Sequence, residues 1–171
     1  QGVLSMFVII FKPSGFYRLF GIPPLHFSDA FIPAAVSLGC HWETMGQQIA
    51  TARCMSERQL IAENFLLRQW QKNTGYEKNA IEEMLAAIDA GTFTAVAQMA
   101  KQCYLSERQF RRVFTERTGL PPQAYLRIAR SRRALRQKQL QPERSWRSIA
   151  FELGYTDQSH FNREMKVLAG I

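Results

Sequence analysis

The first apolar signal in the chain is the run Val3, Leu4, Met6, Phe7, Val8, Ile9, Ile10 and Phe11. Its β-branched and aromatic content over residues 3–11 predicts a buried strand. Lys12-Pro13-Ser14-Gly15 then supplies turn residues that stop it. A single helical turn is expected at 16–20. Residues 21–40 are rich in proline and phenylalanine without a sustained period, which predicts packed but irregular chain. Helices are expected over 43–53 and 56–71. In the second, Leu60, Phe65, Leu66 and Leu67 form a broad apolar face, and Ser56 is the expected N-cap. The polar stretch Gln71-Lys72-Asn73-Thr74-Gly75 marks a linker over 72–78.

From Asn79 onward the pattern is helical almost throughout. Asn79 caps a predicted helix carrying Ile81, Met84, Leu85 and Ile88 on one face, and Gly91 closes it. Short helices follow over 94–102 and 106–118, the latter ending at Gly119. Pro121-Pro122 opens a long basic helix to about residue 139, since proline is tolerated in a first helical turn. Gln141-Pro142 breaks it. Residues 145–153 and 157–168 then form another short pair around Gly154-Tyr155-Thr156.

The two short pairs repeat one another. An offset of 51 superposes Phe110 on Phe161, Arg112 on Arg163, Phe114 on Met165, Gly119 on Gly170 and Leu120 on Ile171. Met99-Ala100 matches Ile149-Ala150 at an offset of 50, so the second turn is one residue longer. Each pair has a small alanine on its first helix, a short turn, a capping residue (Ser106 or Asp157) and apolar residues at i and i+4. Such spacing lets two helices approach closely while the second turns its polar face outward, as in a helix-turn-helix. The apolar residues are core on amphipathicity alone. The chemistry lies on the other face, where Arg108, Arg111, Arg112 and Thr115 fall at i, i+3, i+4 and i+7, and Gln158, His160, Asn162 and Arg163 sit at the start of the last helix. Arginine can pair with guanine O6/N7, and glutamine or asparagine with adenine N6/N7, in a major groove.

Charge narrows the partner. Residues 1–100 hold 7 basic and 8 acidic side chains, whereas 101–171 hold 15 and 6. The whole positive excess therefore lies where the repeat lies, as a phosphate-binding part would have it. Cys40, Cys54 and Cys103 are scattered, which argues against a disulfide framework and against the four-thiolate zinc site of alkyl-transfer DNA-repair proteins. No cofactor and no metal are expected. The chain lacks GxSxG, a phosphate loop and paired carboxylates near a histidine, so an enzyme is not expected. The apolar run at 3–11 is too short to span a bilayer, and no membrane partner is expected. Binding of nucleic acid by charge alone, or of an acidic protein, are the competing readings.

Beyond these patterns, the residues Ala100, Leu105-Ser106, Arg108, Phe110, Arg112, Phe114, Gly119, Pro122, Tyr125, Arg130 and Ala134, followed by Ile149-Ala150, Gly154-Tyr155, Asp157, Ser159, Phe161, Arg163, Lys166 and Gly170-Ile171, resemble the AraC/XylS family of bacterial transcription regulators. The resemblance covers 79–171. It implies a mostly α chain with an all-α C-terminal domain of two helix-turn-helix units (about 94–118 and 145–168) joined by a linker helix (about 122–139). It also implies a sequence-specific DNA-binding regulator of the bacterial cytoplasm, an activator rather than a repressor, with double-stranded DNA and RNA polymerase as partners. The groove-facing positions it implies are Arg108, Arg111 and Arg112, with Gln158, Ser159, Asn162 and Arg163. Ser106, Thr115, Asp157 and His160 complete the expected DNA-binding set. Of Arg127, Arg130, Arg132, Arg133 and Arg136 on the linker helix, two are expected on phosphate and others paired with Glu143 or Glu152. Family members continue past Gly-Ile into a final helix, so weaker DNA binding is expected of this chain than of an extended one.

Residues 1–72 are expected to be a partial α+β sensory or dimerisation region whose earlier strands precede Gln1. The segment 11–23 with Ser28-Asp29 resembles the region ahead of the DNA-binding domain in one group of these regulators. Its aromatics (Phe7, Phe11, Phe16, Tyr17, Phe20, Phe27, Phe31) are expected to be core rather than the lining of a pocket for a small-molecule effector. His26 and His41 lack a second histidine at metal spacing.

Overall fold

The computed structural model describes residues 6–28, 31–33, 36, 38–73 and 80–170. Contacts divide the chain into two compact units, one of 1–78 with 116–119 and one of 79–115 with 120–171.

In the first unit, helix α1 (Gly15–Phe20) is followed by a 3-10 turn (Pro24–Phe27) and by helices α2 (Cys40–Thr51) and α3 (Met55–Lys72). The expected strand is not there. Residues 6–12 carry no regular secondary structure, and Ser5 and the residues before it lie outside those described. The α+β expectation for this region is thus corrected to α among the described residues. A strand needs a ladder partner for its N–H and C=O groups. Met6, Val8 and Ile10 instead face solvent, Ile10 at 88% exposure, while the alternate Phe7 and Phe11 are half-buried. Phe11 packs edge-on to Phe16 and Phe20, and the stack continues through Phe27, Trp42 and Phe65 at centroid distances of 4.9–6.0 Å. These rings pack on one another but are half-buried and lie outside the buried core, and Phe31 is exposed. The Ser56 cap is also corrected. Helix α3 starts at Met55, and Glu57 reaches back to accept from the Arg53 N–H at 2.7 Å.

The second unit holds α4 (Ala80–Ala90), α5 (Val96–Gln102), α6 (Glu107–Thr118) as far as Thr115, α7 (Pro122–Leu140), α8 (Trp146–Glu152) and α9 (Gln158–Ala169). Helix α4 buries Ile81, Met84, Leu85 and Ile88, as its period predicts. Its expected cap Asn79 lies outside the described residues, and Gly91 ends it at φ 89°. Two separate cores are strung on α7. The first gathers α4, α5 and α6 through Ile88, Met99, Phe110 and Phe114 onto Tyr125, Leu126 and Ala129. The second gathers Ile149, Ala150, Tyr155, Phe161 and Met165 onto Ala134 and Leu135. At about 100° per residue, Tyr125, Leu126 and Ala129 share one side of α7, and Ala134 and Leu135 fall on the far side. Helix α7 is therefore a strut between two cores, not the edge of one.

Each end of α7 has a local cause. Pro122 occupies its first turn. Lys138 Nζ donates to the carbonyls of Pro142 and Arg144, each at 2.6 Å, and so folds the chain back after Leu140. Beside the first core, Arg132 pairs with Asp89 at 2.7 Å. Burial, reinforced by that carboxylate, pushes the Tyr125 hydroxyl up to about 12, so it stays a neutral phenol. Among the described residues, no helix is long and apolar enough to cross a membrane.

Candidate nucleic-acid interface

The two short helical pairs share one turn. Between α5 and α6, the Leu105 N–H donates to the Ala100 carbonyl at 3.0 Å, and Tyr104 takes φ 55°. Between α8 and α9, the Tyr155 N–H donates to the Ala150 carbonyl at 3.0 Å, and Gly154 takes φ 75°. Both hydrogen bonds keep the offset of 50. The caps Ser106 and Asp157 stand at 51, so Thr156 is the added residue. Its hydroxyl bonds Asp157 Oδ2 at 3.3 Å and lies 3.4 Å from His160 Nδ1.

The caps differ in chemistry. Ser106 Oγ accepts from the Gln109 N–H at 3.3 Å while Gln109 Oε1 accepts from the Ser106 N–H at 3.1 Å. This reciprocal pair satisfies two otherwise orphaned donors of α6. On α9 a single charged group does the work, with Asp157 Oδ1 accepting from the His160 N–H at 2.7 Å. That bond, with smaller help from Thr156, Arg163 and Ser159, holds the Asp157 carboxyl below its ordinary range.

Past the caps, Arg108, Arg111 and Arg112 are exposed along α6, and Thr115 is half-buried one turn on. Arg111 is held by Glu107 at 3.1 Å and by Gln123 of α7 at 3.3 Å. On α9, Gln158, Ser159, Asn162 and Arg163 are exposed and His160 is half-buried. Its ring lies 5.5 Å from that of Tyr155. Between the two helices runs a cleft of about 530 Å³ whose walls include Arg111 of α6 and Arg163 of α9, with Arg127 and Arg130 of α7 along it.

The linker-helix arginines sort by flank. Gln123, Arg127 and Arg130 lie within a narrow arc of α7 and line the cleft. Arg132 is on the opposite flank with Asp89, and the Arg133 guanidinium packs over Gly91. The expected pairing with Glu143 or Glu152 is corrected for Arg127 and Arg132, whose acids are Glu164 and Asp89. Glu152 instead accepts from Arg144 at 2.6 Å and from the Gln137 amide at 2.8 Å. The participant absent from the sequence-derived set is Glu164, buried under the cleft. One signal could have found it: it falls at i+3 from Phe161, on the apolar stripe, and the repeat places it opposite Val113.

Residues 99–171 match the sequence model of a helix-turn-helix domain family. Neither a curated protein nor a solved structure matches the chain.

Proposed function

We propose that this chain, which carries the AraC-type helix-turn-helix domain of DNA-binding transcription regulators over residues 99–171, reads two successive major-groove segments with α6 and α9. The observation that carries this reading is the repeated turn with its caps. It presents the first two turns of both helices, with Arg108, Arg111 and Arg112 exposed on one and Gln158, Ser159, Asn162 and Arg163 exposed on the other. These side chains have the donor patterns that pair with purine edges. Helix α7 has 19 residues. At about 1.5 Å per residue it is about 28 Å long, a length suited to two reading helices one DNA turn, about 34 Å, apart. The intervening sugar-phosphate backbone then enters the cleft, where Arg127 and Arg130 are the two linker-helix arginines that meet phosphate. Ser106 and Asp157 act as caps that also bring their helix N-termini to phosphate; Thr115 and His160 border the grooves.

On this reading 79–171 is the DNA-binding domain, 72–78 the linker, and 1–72 a sensory or dimerisation region open to a small-molecule effector. The AraC resemblance favours an activator that touches RNA polymerase. The test is selection of duplexes from a random pool, followed by anisotropy titration of a selected and a scrambled duplex at two salt concentrations. A two-groove reader enriches a site with two conserved blocks about one helical turn apart and keeps its preference when salt screens the phosphate attraction. Enrichment of no site, with equal affinity for both duplexes, leaves only charge-driven binding.

A further inference from the structure

Glu164 is an odd residue for this position. Among the described residues it is the one buried carboxylate, 4% exposed, and it lies beneath a cleft otherwise dominated by arginine. A carboxylate there is costly on two counts, desolvation and repulsion of any phosphate that approaches. Packing does not demand it. The repeat places Val113 at the equivalent point of α6, where it sits against the first core. The fold accepts an apolar side chain at this register.

What the carboxylate does is hold three elements together. Tyr155, in the turn before α9, donates its hydroxyl to Glu164 Oε1 at 3.0 Å. Arg127 of α7 brings Nε to within 3.5 Å of Oε2. His160, one turn earlier on α9, stands with Nε2 3.6 Å from the same oxygen. Arg130 stacks over the Tyr155 ring at 4.9 Å. Both cleft arginines of α7 are thus tied to α9, Arg127 directly and Arg130 through the tyrosine. Engagement of Arg127 through Nε matters, because the two Nη groups at the far end of the guanidinium fork stay available to a second acceptor.

We propose that Glu164 is a positioning residue for DNA, a buried carboxylate that ties α9 to α7 and sets Arg127 to receive the phosphate lying between the two grooves. The proposal rests on the reading of this face as DNA-binding. It makes a prediction of unusual sign. Removing a negative charge from a basic face should tighten DNA binding if only net charge matters. If Glu164 positions, removing it loosens binding to the right sequence.

The experiment uses the full chain, with a duplex selected by that protein from a random pool and a scrambled duplex as probes. Glu164→Gln is expected to weaken the selected duplex about 10-fold while the scrambled duplex binds as before or slightly better. Arg127→Ala is expected to cost several-fold in the parent and little in the Glu164→Gln background, since the two act as one unit. Glu164→Val, which copies the first pair, leaves the buried Tyr155 hydroxyl without its acceptor and is expected to fold with a modestly lowered melting temperature and the same loss of preference. The proposal is overturned if both duplexes tighten together, or if Arg127→Ala costs the same in both backgrounds. A fall in melting temperature with the selected-to-scrambled ratio unchanged also overturns it, because that is a purely structural role. A parent chain that enriches no duplex refutes the DNA reading itself, before any variant is compared.

Discussion

The first and second helical pairs are built on the same turn and stabilised differently. The first lies in a core fed by four helices, α4, α5, α6 and α7. The second has a smaller core of α7, α8, α9 and their turn. It adds devices that the first lacks: an aspartate cap, the buried Glu164 with Tyr155 and Arg127, and, for backbone conformation, a glycine at the left-handed turn position. The difference teaches that one local template can be held by apolar mass or by directed polar contacts. It also teaches that the second solution brings charged groups to the functional face.

The comparison can be broken most forcefully at the cores. Phe110→Ala and Phe161→Ala each remove a buried ring and are expected to cost about 3–5 kcal/mol. Because the cores are separate, hydrogen exchange should show Phe161→Ala opening 145–168 while amides of α4 and α5 keep their protection. Phe110→Ala should open α5 and α6. Uniform loss of protection in both variants would mean one cooperative core instead of two.

Base reading comes next in size. Arg112→Ala and Arg163→Ala occupy repeat-related positions, and each is expected to weaken a selected duplex by about 1–3 kcal/mol, with a smaller effect on a scrambled one. Similar losses at the two sites support a bipartite reader. If Arg163→Ala alone is silent, the second pair positions without reading.

A smaller effect tests the turns. Tyr104 holds φ 55° at 97% exposure, where Gly154 holds φ 75°. A left-handed residue with a side chain costs about 1–2 kcal/mol. Tyr104→Gly is therefore expected to raise the melting temperature, and Gly154→Ala to lower it by a comparable amount, since a Cβ there meets nothing within 4 Å and only the backbone objects. Equal and opposite shifts would confirm that the turns are equivalent in energy as well as in hydrogen bonding.

The smallest effect is a pH asymmetry. The Asp157 carboxyl is held below its ordinary value by the His160 N–H. Its stabilisation is thus fully present above the ordinary aspartate pKa, about 3.9, and is lost as pH falls through the depressed folded value. The Ser106–Gln109 cap has no titrating group. Acid should therefore fray α9 before α6, which the pH dependence of the His160 and Gln109 amide resonances would reveal. Simultaneous fraying would assign acid sensitivity to some other carboxylate.

Much of the second unit is legible in the chain because its signals are local. The 3.6-residue period at Ile81, Met84, Leu85 and Ile88, the Ser-x-x-Gln box at Ser106, and proline and glycine punctuation place helix ends within a few residues. The offset of 51 likewise exposes the repeat without coordinates. Residues 6–12 were misleading for the opposite reason. The β-branched and aromatic run over 3–11 is the pattern of a buried strand, yet strand formation is a property of two segments, and Phe11 packs onto the rings of α1 instead. Ser56 failed as a cap because α3 begins at Met55, with Cys54, two residues before Ser56, in the capping position, and Glu57 reaches back to the Arg53 N–H.

By itself, the sequence determined the helical periods, the internal repeat, the Ser106 and Asp157 caps and the concentration of positive charge in 101–171. All of these depend on neighbours within a turn or two, or on a simple count. Tertiary structure alone decided that α7 carries two cores on opposite sides, and so which of its arginines share a cleft. It alone decided that Glu164 is buried under that cleft instead of solvated on a helix surface. Burial and partnership depend on what packs across from a residue, and in Glu164 the partners come from Arg127, 37 positions away, and from a turn whose geometry the repeat had already set.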